Sequence, residues 1–103
     1  MAQTKIKKEL IDASFGTEWQ SAIKTSNFTS EAGKGYFVDT TSGAVTATLP
    51  AGVVGSEIVF QDYTGTFATN GLLLSANGSE KIQGATGNKE CRVNNSTVRL
   101  IYQ

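Results

Sequence analysis

Histidine is absent from this 103-residue chain, and cysteine, methionine, tryptophan and proline occur once each. Without histidine, no His-dependent triad or imidazole general base can operate. Zinc and other transition metals lose their usual ligands, so no metal and no other cofactor is expected. A lone Cys91 cannot close an intrachain disulfide. With Glu90 beside it, the thiol reads as a small half-buried strand residue rather than a nucleophile. Nine basic residues balance nine acidic ones. A sequence-independent nucleic-acid binder needs a cationic surplus, so nucleic acid is not an expected partner. No apolar run approaches the roughly 20 residues of a membrane span, so no membrane insertion is expected. The first residues carry charge with no apolar core behind them, unlike a secretory signal. The chain reads as a product of a cytoplasm.

What the chain has in quantity is glycine, threonine, serine and asparagine, with eleven glycines in all. That mixture suits short strands joined by tight turns. The stretch from Tyr36 to Asp62 carries the clearest pattern. Tyr36–Thr40 is aromatic and β-branched, as a pleated, half-buried surface favours. Thr41, Ser42 and Gly43 break it. In Ala44–Leu49 the apolar Val45, Ala47 and Leu49 alternate with Ala44, Thr46 and Thr48, the period of a strand with one wet face. Pro50 cannot donate to a ladder and ends it. Glu57–Asp62 alternates again. Further strands are expected at Trp19–Thr25, Leu72–Ser75, Glu80–Gln83, Glu90–Val93 and Thr97–Tyr102, with turns at Asn70-Gly71, Asn77-Gly78 and the Asn94–Ser96 run. In the last strand Val98, Leu100 and Tyr102 should face the core. These eight short strands predict an all-β domain, a small β-sandwich or jelly-roll-like antiparallel meander.

Residues 1–18 differ from the rest. Lys5, Lys7 and Lys8 cluster there, and Ile6, Leu10 and Ile11 share one face of a short helical turn. So few helical residues are not stable alone in water. The expectation is an extended N-terminal attachment arm, anchored through Ile6, Leu10 and Ile11, followed by a β-sandwich knob over residues 19–103. The run Leu72-Leu73-Leu74 suits a strand buried on both sides. In a chain this short, the second cover is expected to be another subunit, which makes Leu72, Leu73, Leu74 and Ile101 candidate interface residues.

Chemistry-bearing patterns are weak. Gly33-Lys34-Gly35 and Gly84–Gly87 lack the flanking Lys-Ser/Thr and the strand-to-helix context of a phosphate loop. Asp39 and Asp62 flank one loop region, and a glycan-cleaving carboxylate pair would require them to converge in a cleft. Trp19 is expected as core or as a sheet-end cap. A carbohydrate-binding module is the alternative from another class, with Trp19, Tyr36, Tyr63 and Phe67 as stacking platforms for a host surface glycan.

Three motifs together carry a family resemblance: Phe37-Val38-Asp39-Thr40-Thr41-Ser42-Gly43, Thr48-Leu49-Pro50, and Asp62-Tyr63-Thr64-Gly65-Thr66-Phe67. From Trp19 to Tyr102 the chain resembles a module of virion structural proteins of tailed phages. It looks most like modules of marine phages, including tail-fibre-like chains of cyanophages. The N-terminal Ile6–Gly16 stretch also looks like the leader with which phage appendage chains begin. The resemblance implies a non-enzymatic virion protein, a tail-fibre or tail-appendage component. It further implies self-association as a homotrimer and contact with other virion proteins of tail, baseplate or capsid. A capsid-surface fibre or decoration protein is the alternative within that class. The family pattern is structural, so no catalytic residue comes with it.

Overall fold

The computed structural model describes residues 17–82 and 87–103. Eight strands are present among them: β1 (Glu18–Trp19), β2 (Phe28–Thr29), β3 (Lys34–Val38), β4 (Val45–Thr48), β5 (Glu57–Asp62), β6 (Leu72–Ser75), β7 (Lys89–Cys91) and β8 (Thr97–Ile101). They form two four-stranded sheets, β1-β3-β5-β8 and β2-β4-β6-β7. The arm residues Ile6, Leu10 and Ile11 lie outside the described residues.

The all-β, two-sheet expectation holds, but the antiparallel meander does not. Strands next to each other in sequence do not pair until the end of the chain. The chain alternates instead between the sheets, so β3 pairs in parallel with β1 and β5, and β4 pairs in parallel with β2 and β6. Parallel neighbours need a crossover between them, which is usually a helix. Here the crossover from β3 to β5 contains β4, a strand of the facing sheet. The result is a flattened coil of three turns. Only the last two strands reverse, β7 against β6 and β8 against β5, closing one side with antiparallel partners.

The reason lies in the inner faces. Tyr36 and Val38 of β3, Val45 and Ala47 of β4, Ile58 and Phe60 of β5, and Leu72 and Leu74 of β6 form one buried cluster. A flat hairpin of β3 and β4 would leave one face of both strands bare. Folding the chain across a corner lets each strand cover the one before it, as facing sheets do. The alternation read from sequence is therefore correct residue by residue. Val45, Ala47 and Leu49 are buried, and Val98, Leu100 and Tyr102 pack against the cluster while Thr97, Arg99 and Ile101 are exposed.

The count of eight conceals an exchange. Among the described residues of Glu80–Gln83, only Ile82 makes a bridge, although its side chain is buried in the core. Phe28–Thr29, within a stretch that reads as a connection, forms β2 instead. The Trp19–Thr25 run shrinks to β1 and an isolated parallel bridge from Lys24 to Val38. The Asn70-Gly71 pair does not adopt positive φ; the turn before it is tied by the Thr69 and Asn70 amides donating to the Thr66 carbonyl.

Leu72 and Leu74 have no exposed surface and belong to this chain's own core, while Leu73 is half-buried. The facing sheet covers the Leu72 and Leu74 face alone, and the other face, with Leu73, stays half-buried, so the strand is not buried on both sides. Leu74→Ala is expected to cost about 2–5 kcal/mol, the range for emptying a packed site, and Leu73→Ala well under half of that, measured by urea unfolding. Equal losses for both would contradict this placement.

Candidate functional site

Asp62 ends β5 with its side chain turned inward and almost fully buried. A buried carboxylate needs donors, and four backbone N–H groups supply them. Its Oδ1 accepts from Gly65 at 2.8 Å and Thr66 at 3.2 Å. Its Oδ2 accepts from Phe67 at 3.1 Å and Asn95 at 2.9 Å. The first three donors come from one tight loop, in which Gly65 takes a φ of 75°. The fourth comes from the turn between β7 and β8, which crosses from one sheet to the other and where Asn95 is the one described non-glycine residue at positive φ. Burial alone would push the Asp62 carboxyl up, but the donors from Asn95, Phe67, Thr66 and Gly65 together hold it below the usual carboxylate value.

Around this carboxylate a polar knot closes one end of the coil. The hydroxyls of Thr40 and Thr66 are 2.6 Å apart, and those of Thr64 and Thr66 are 2.9 Å apart. Thr64 donates to Asp39, whose Oδ1 also accepts from the Thr41 amide. The Asn70 side chain donates to the Thr40 carbonyl, and the Ala68 amide donates to Asn94 Oδ1. Phe67, with no exposed surface, plugs the core beneath the knot. Asp39 and Asp62 therefore sit in the same knot as acceptors of fixed hydrogen bonds. Both carboxyls are held below the usual value, Asp39 chiefly through the Thr41 hydrogen bonds, so neither is poised as a general acid near neutral pH.

The outer face of the β1-β3-β5-β8 sheet carries an aromatic row. Trp19, 43% exposed, lies over Gly35 of the neighbouring strand, where a Cβ would meet its ring at 2.7 Å. Its ring stacks on Phe37 at 4.8 Å, and Phe37 meets Tyr63 edge-on at 6.0 Å. Trp19 is thus an outer-face residue rather than core. Of the four stacking candidates, Trp19 and Tyr63 reach this surface. Tyr36 and Phe67 are buried, the Tyr36 hydroxyl accepting from the Glu31 amide at 2.8 Å. Phe37, which completes the row, is not among the sequence candidates; its signal is the alternation that buries Tyr36 and Val38 on the opposite face.

At the end opposite the knot, a groove of about 680 Å³ opens between the sheets. Leu49, Ile82, Leu100 and Tyr102 are among the residues that line it, with Val54 and Ile101 also lining it. Val53, Val54 and Ile101 are all more than half exposed. The Tyr102 hydroxyl donates to the Pro50 carbonyl, and both Glu80 oxygens accept from the Gly52 amide. Arg99 pairs with Glu57 on the adjacent strand. Ile101 is therefore the exposed member of the expected interface set, and Leu73 is its half-buried one.

Cys91 is buried and its thiol is pushed up by burial, which keeps it protonated near neutral pH. Among the described residues, no group of three or more His, Cys, Asp or Glu side chains is placed to hold a metal ion, and no helix is long and apolar enough to cross a membrane.

The domain is small and all-β, the Asp39 and Asp62 carboxylates secure its own loops, and a few aromatic and aliphatic side chains are exposed among polar ones. Residues 4–102 match the family described as bacteriophage T4 gp9/10-like protein, N-terminal, so the chain belongs to that family and is a phage structural module. No curated protein matches it significantly. The resembling motifs acquire physical content here. The Asp62–Phe67 motif is the carboxylate, its loop donors and the core plug, and the Thr48–Pro50 motif accepts from the Ser30 and Tyr102 hydroxyls.

Asp62→Ala, which strips the acceptor from one buried and three part-buried amides, is expected to destabilise the domain by about 2 kcal/mol. Because the folded carboxyl lies below its unfolded value, its contribution is fully present above the unfolded pKa of roughly 3.9. It is lost as pH falls through the folded value. Wild type should therefore lose stability on acidification below about pH 4, whereas Asp62→Asn should show a flatter profile there, read from urea midpoints. Parallel profiles would remove the carboxylate from the account.

Proposed function

We propose that this chain is a tail-fibre or tail-appendage component of a phage particle, working mechanically and without a catalytic step. Residues 1–18 act as the arm that attaches it to the particle, and the β-domain is the knob that assembles with further copies, as a homotrimer. The observation that carries the reading is the family match over residues 4–102, which takes in most of the arm together with the β-domain. The engaged state of Asp39 and Asp62 supports a non-enzymatic role, since both hold loops in place. The likeness to marine-phage fibre chains favours an appendage over a capsid decoration. Apolar groups for self-association remain at Ile101 and Leu73, while Leu72 and Leu74 serve the core. A host-glycan role would fall to Trp19 and Tyr63, but stacking on Phe37 already occupies one face of the Trp19 ring.

The test is incorporation. A chain with Ile6, Leu10 and Ile11 all changed to Asp is expected to keep the wild-type melting temperature and to be missing from purified particles by immunoblot. Its presence at wild-type level would overturn the attachment role. Light scattering of the full wild-type chain is expected to give three times the chain mass; a monomer at all concentrations would overturn the homotrimer.

A further inference from the structure

We propose that the free edge of β8 is a strand-acceptor site, which takes an extended segment of another virion protein as an added strand. β8 lies at one end of its sheet and is paired on one side only, with β5. The bonds at its two ends show which main-chain groups β5 engages. The Asp62 amide donates to the Ser96 carbonyl at 3.0 Å, and the Tyr102 amide donates to the Ser56 carbonyl at 2.9 Å. Antiparallel pairs alternate between bonded and unbonded. Ser96, Val98, Leu100 and Tyr102 therefore bond toward β5, and the N–H and C=O groups of Thr97, Arg99 and Ile101 point away from it. Among the described residues, no hydrogen-bond partner meets those groups.

The other three sheet edges differ. β1 and β2 are two residues long and β7 is three, so each offers little to pair with. β8 has five residues, with no proline, no lysine and no positive φ to blunt it. An edge of that kind is a template for another strand. Both alternating sets of its side chains line the groove, Leu100 and Tyr102 as well as Arg99 and Ile101, so the groove runs along this edge.

The occupant follows from symmetry and charge, and the symmetry argument rests on the homotrimer reading above. Antiparallel pairing of β8 with the β8 of another copy is a twofold contact, which a threefold ring lacks. The β1, β2 or β7 edge of a neighbouring copy is too short to cover β8. The edge is thus left for a different chain. Side chains of an added strand alternate between two faces. On one face they meet Leu49, Ile82 and Leu100, which calls for aliphatic residues. Of the charged groups lining the groove, Glu80 accepts from the Gly52 amide and Arg99 pairs with Glu57. Lys81 makes no ion pair among the described residues, and a carboxylate on the incoming strand supplies one. Ile101 takes part through its main chain, so its exposed side chain stays available for self-association.

The experiment compares amide hydrogen exchange of the full chain free in solution and within purified particles. In the free chain, Val98 and Leu100 are expected to exchange slowly and Thr97, Arg99 and Ile101 fast. In the particle those three should slow by about tenfold or more, as ladder bonds form. Slow exchange of all three in the free chain would overturn the proposal, and so would fast exchange in the particle. The full chain with Thr97→p-benzoylphenylalanine, irradiated in particles, is expected to cross-link to a different virion protein at a segment of alternating aliphatic residues with an acid. A cross-link to a second copy of this chain, or none, would overturn the proposal. Proline is tolerated where an edge N–H points outward. Adding Arg99→Pro should therefore abolish the cross-link while the chain remains in particles through its arm. Arg99→Ala, which loses the same Glu57 pair and keeps the N–H, should leave the cross-link in place. Equal cross-linking by the two variants would overturn the proposal. Incorporation and trimer mass, measured separately, test the reading on which it rests.

Discussion

The fold depends on one buried carboxylate more than on any single apolar contact. Asp62 joins its own loop to the turn between β7 and β8, far away in sequence, at the end of the coil where β5 stops and β8 starts. Without that acceptor, the amides of Gly65, Thr66, Phe67 and Asn95 would lose their partner, and that of Phe67 is buried. The desolvation cost of the charge is offset because every donor is a fixed backbone group, which loses little freedom on pairing. The knot in turn sets Phe67 into the core and aligns β8 for its antiparallel pairing with β5.

That arrangement gives the molecule two unlike ends. One is polar, closed and internally satisfied. The other is open, with the exposed Val53, Val54 and Ile101 beside a groove lined by Leu49 and Ile82 and by the charged Glu80, Lys81 and Arg99. A structural module needs one end that keeps its shape and another that makes contacts, and the chain separates the two by about a strand length. The aromatic row lies between them on one sheet face. Trp19 sits on an edge strand only two residues long and covers Gly35 of β3, a contact that ties β1 down where few ladder hydrogen bonds exist.

Much of this was legible in the sequence, and the failures share a cause. Alternation at Val45, Ala47 and Leu49 names the buried face because side-chain direction has period two. It does not name the neighbour strand, because a strand of the facing sheet and a hairpin partner both ask for the same alternation. Phe28–Thr29 was invisible since two residues carry no period. Leu72–Leu74 read as buried on both sides, but only the Leu72 and Leu74 face is buried, against the facing sheet, because a continuous apolar run hides the period of two. Asp62 is half legible: an aspartate followed by Thr-Gly-Thr is a loop that its side chain can cap. The Asn95 donor, brought in from the turn between β7 and β8, leaves no local signal. The arm at Ile6, Leu10 and Ile11 lies outside the described residues, so its part in the site rests on the sequence.

The most direct measurement is native-state hydrogen exchange on the full chain. If Asp62 is the organising acceptor, the amides of Gly65, Thr66, Phe67 and Asn95 exchange as one cooperative unit, as slowly as those of β5. On acidification through the Asp62 titration they should lose that protection together, while the Gly55 amide at the opposite end keeps its own. Independent exchange of the four at rates near those of an open loop would contradict the account.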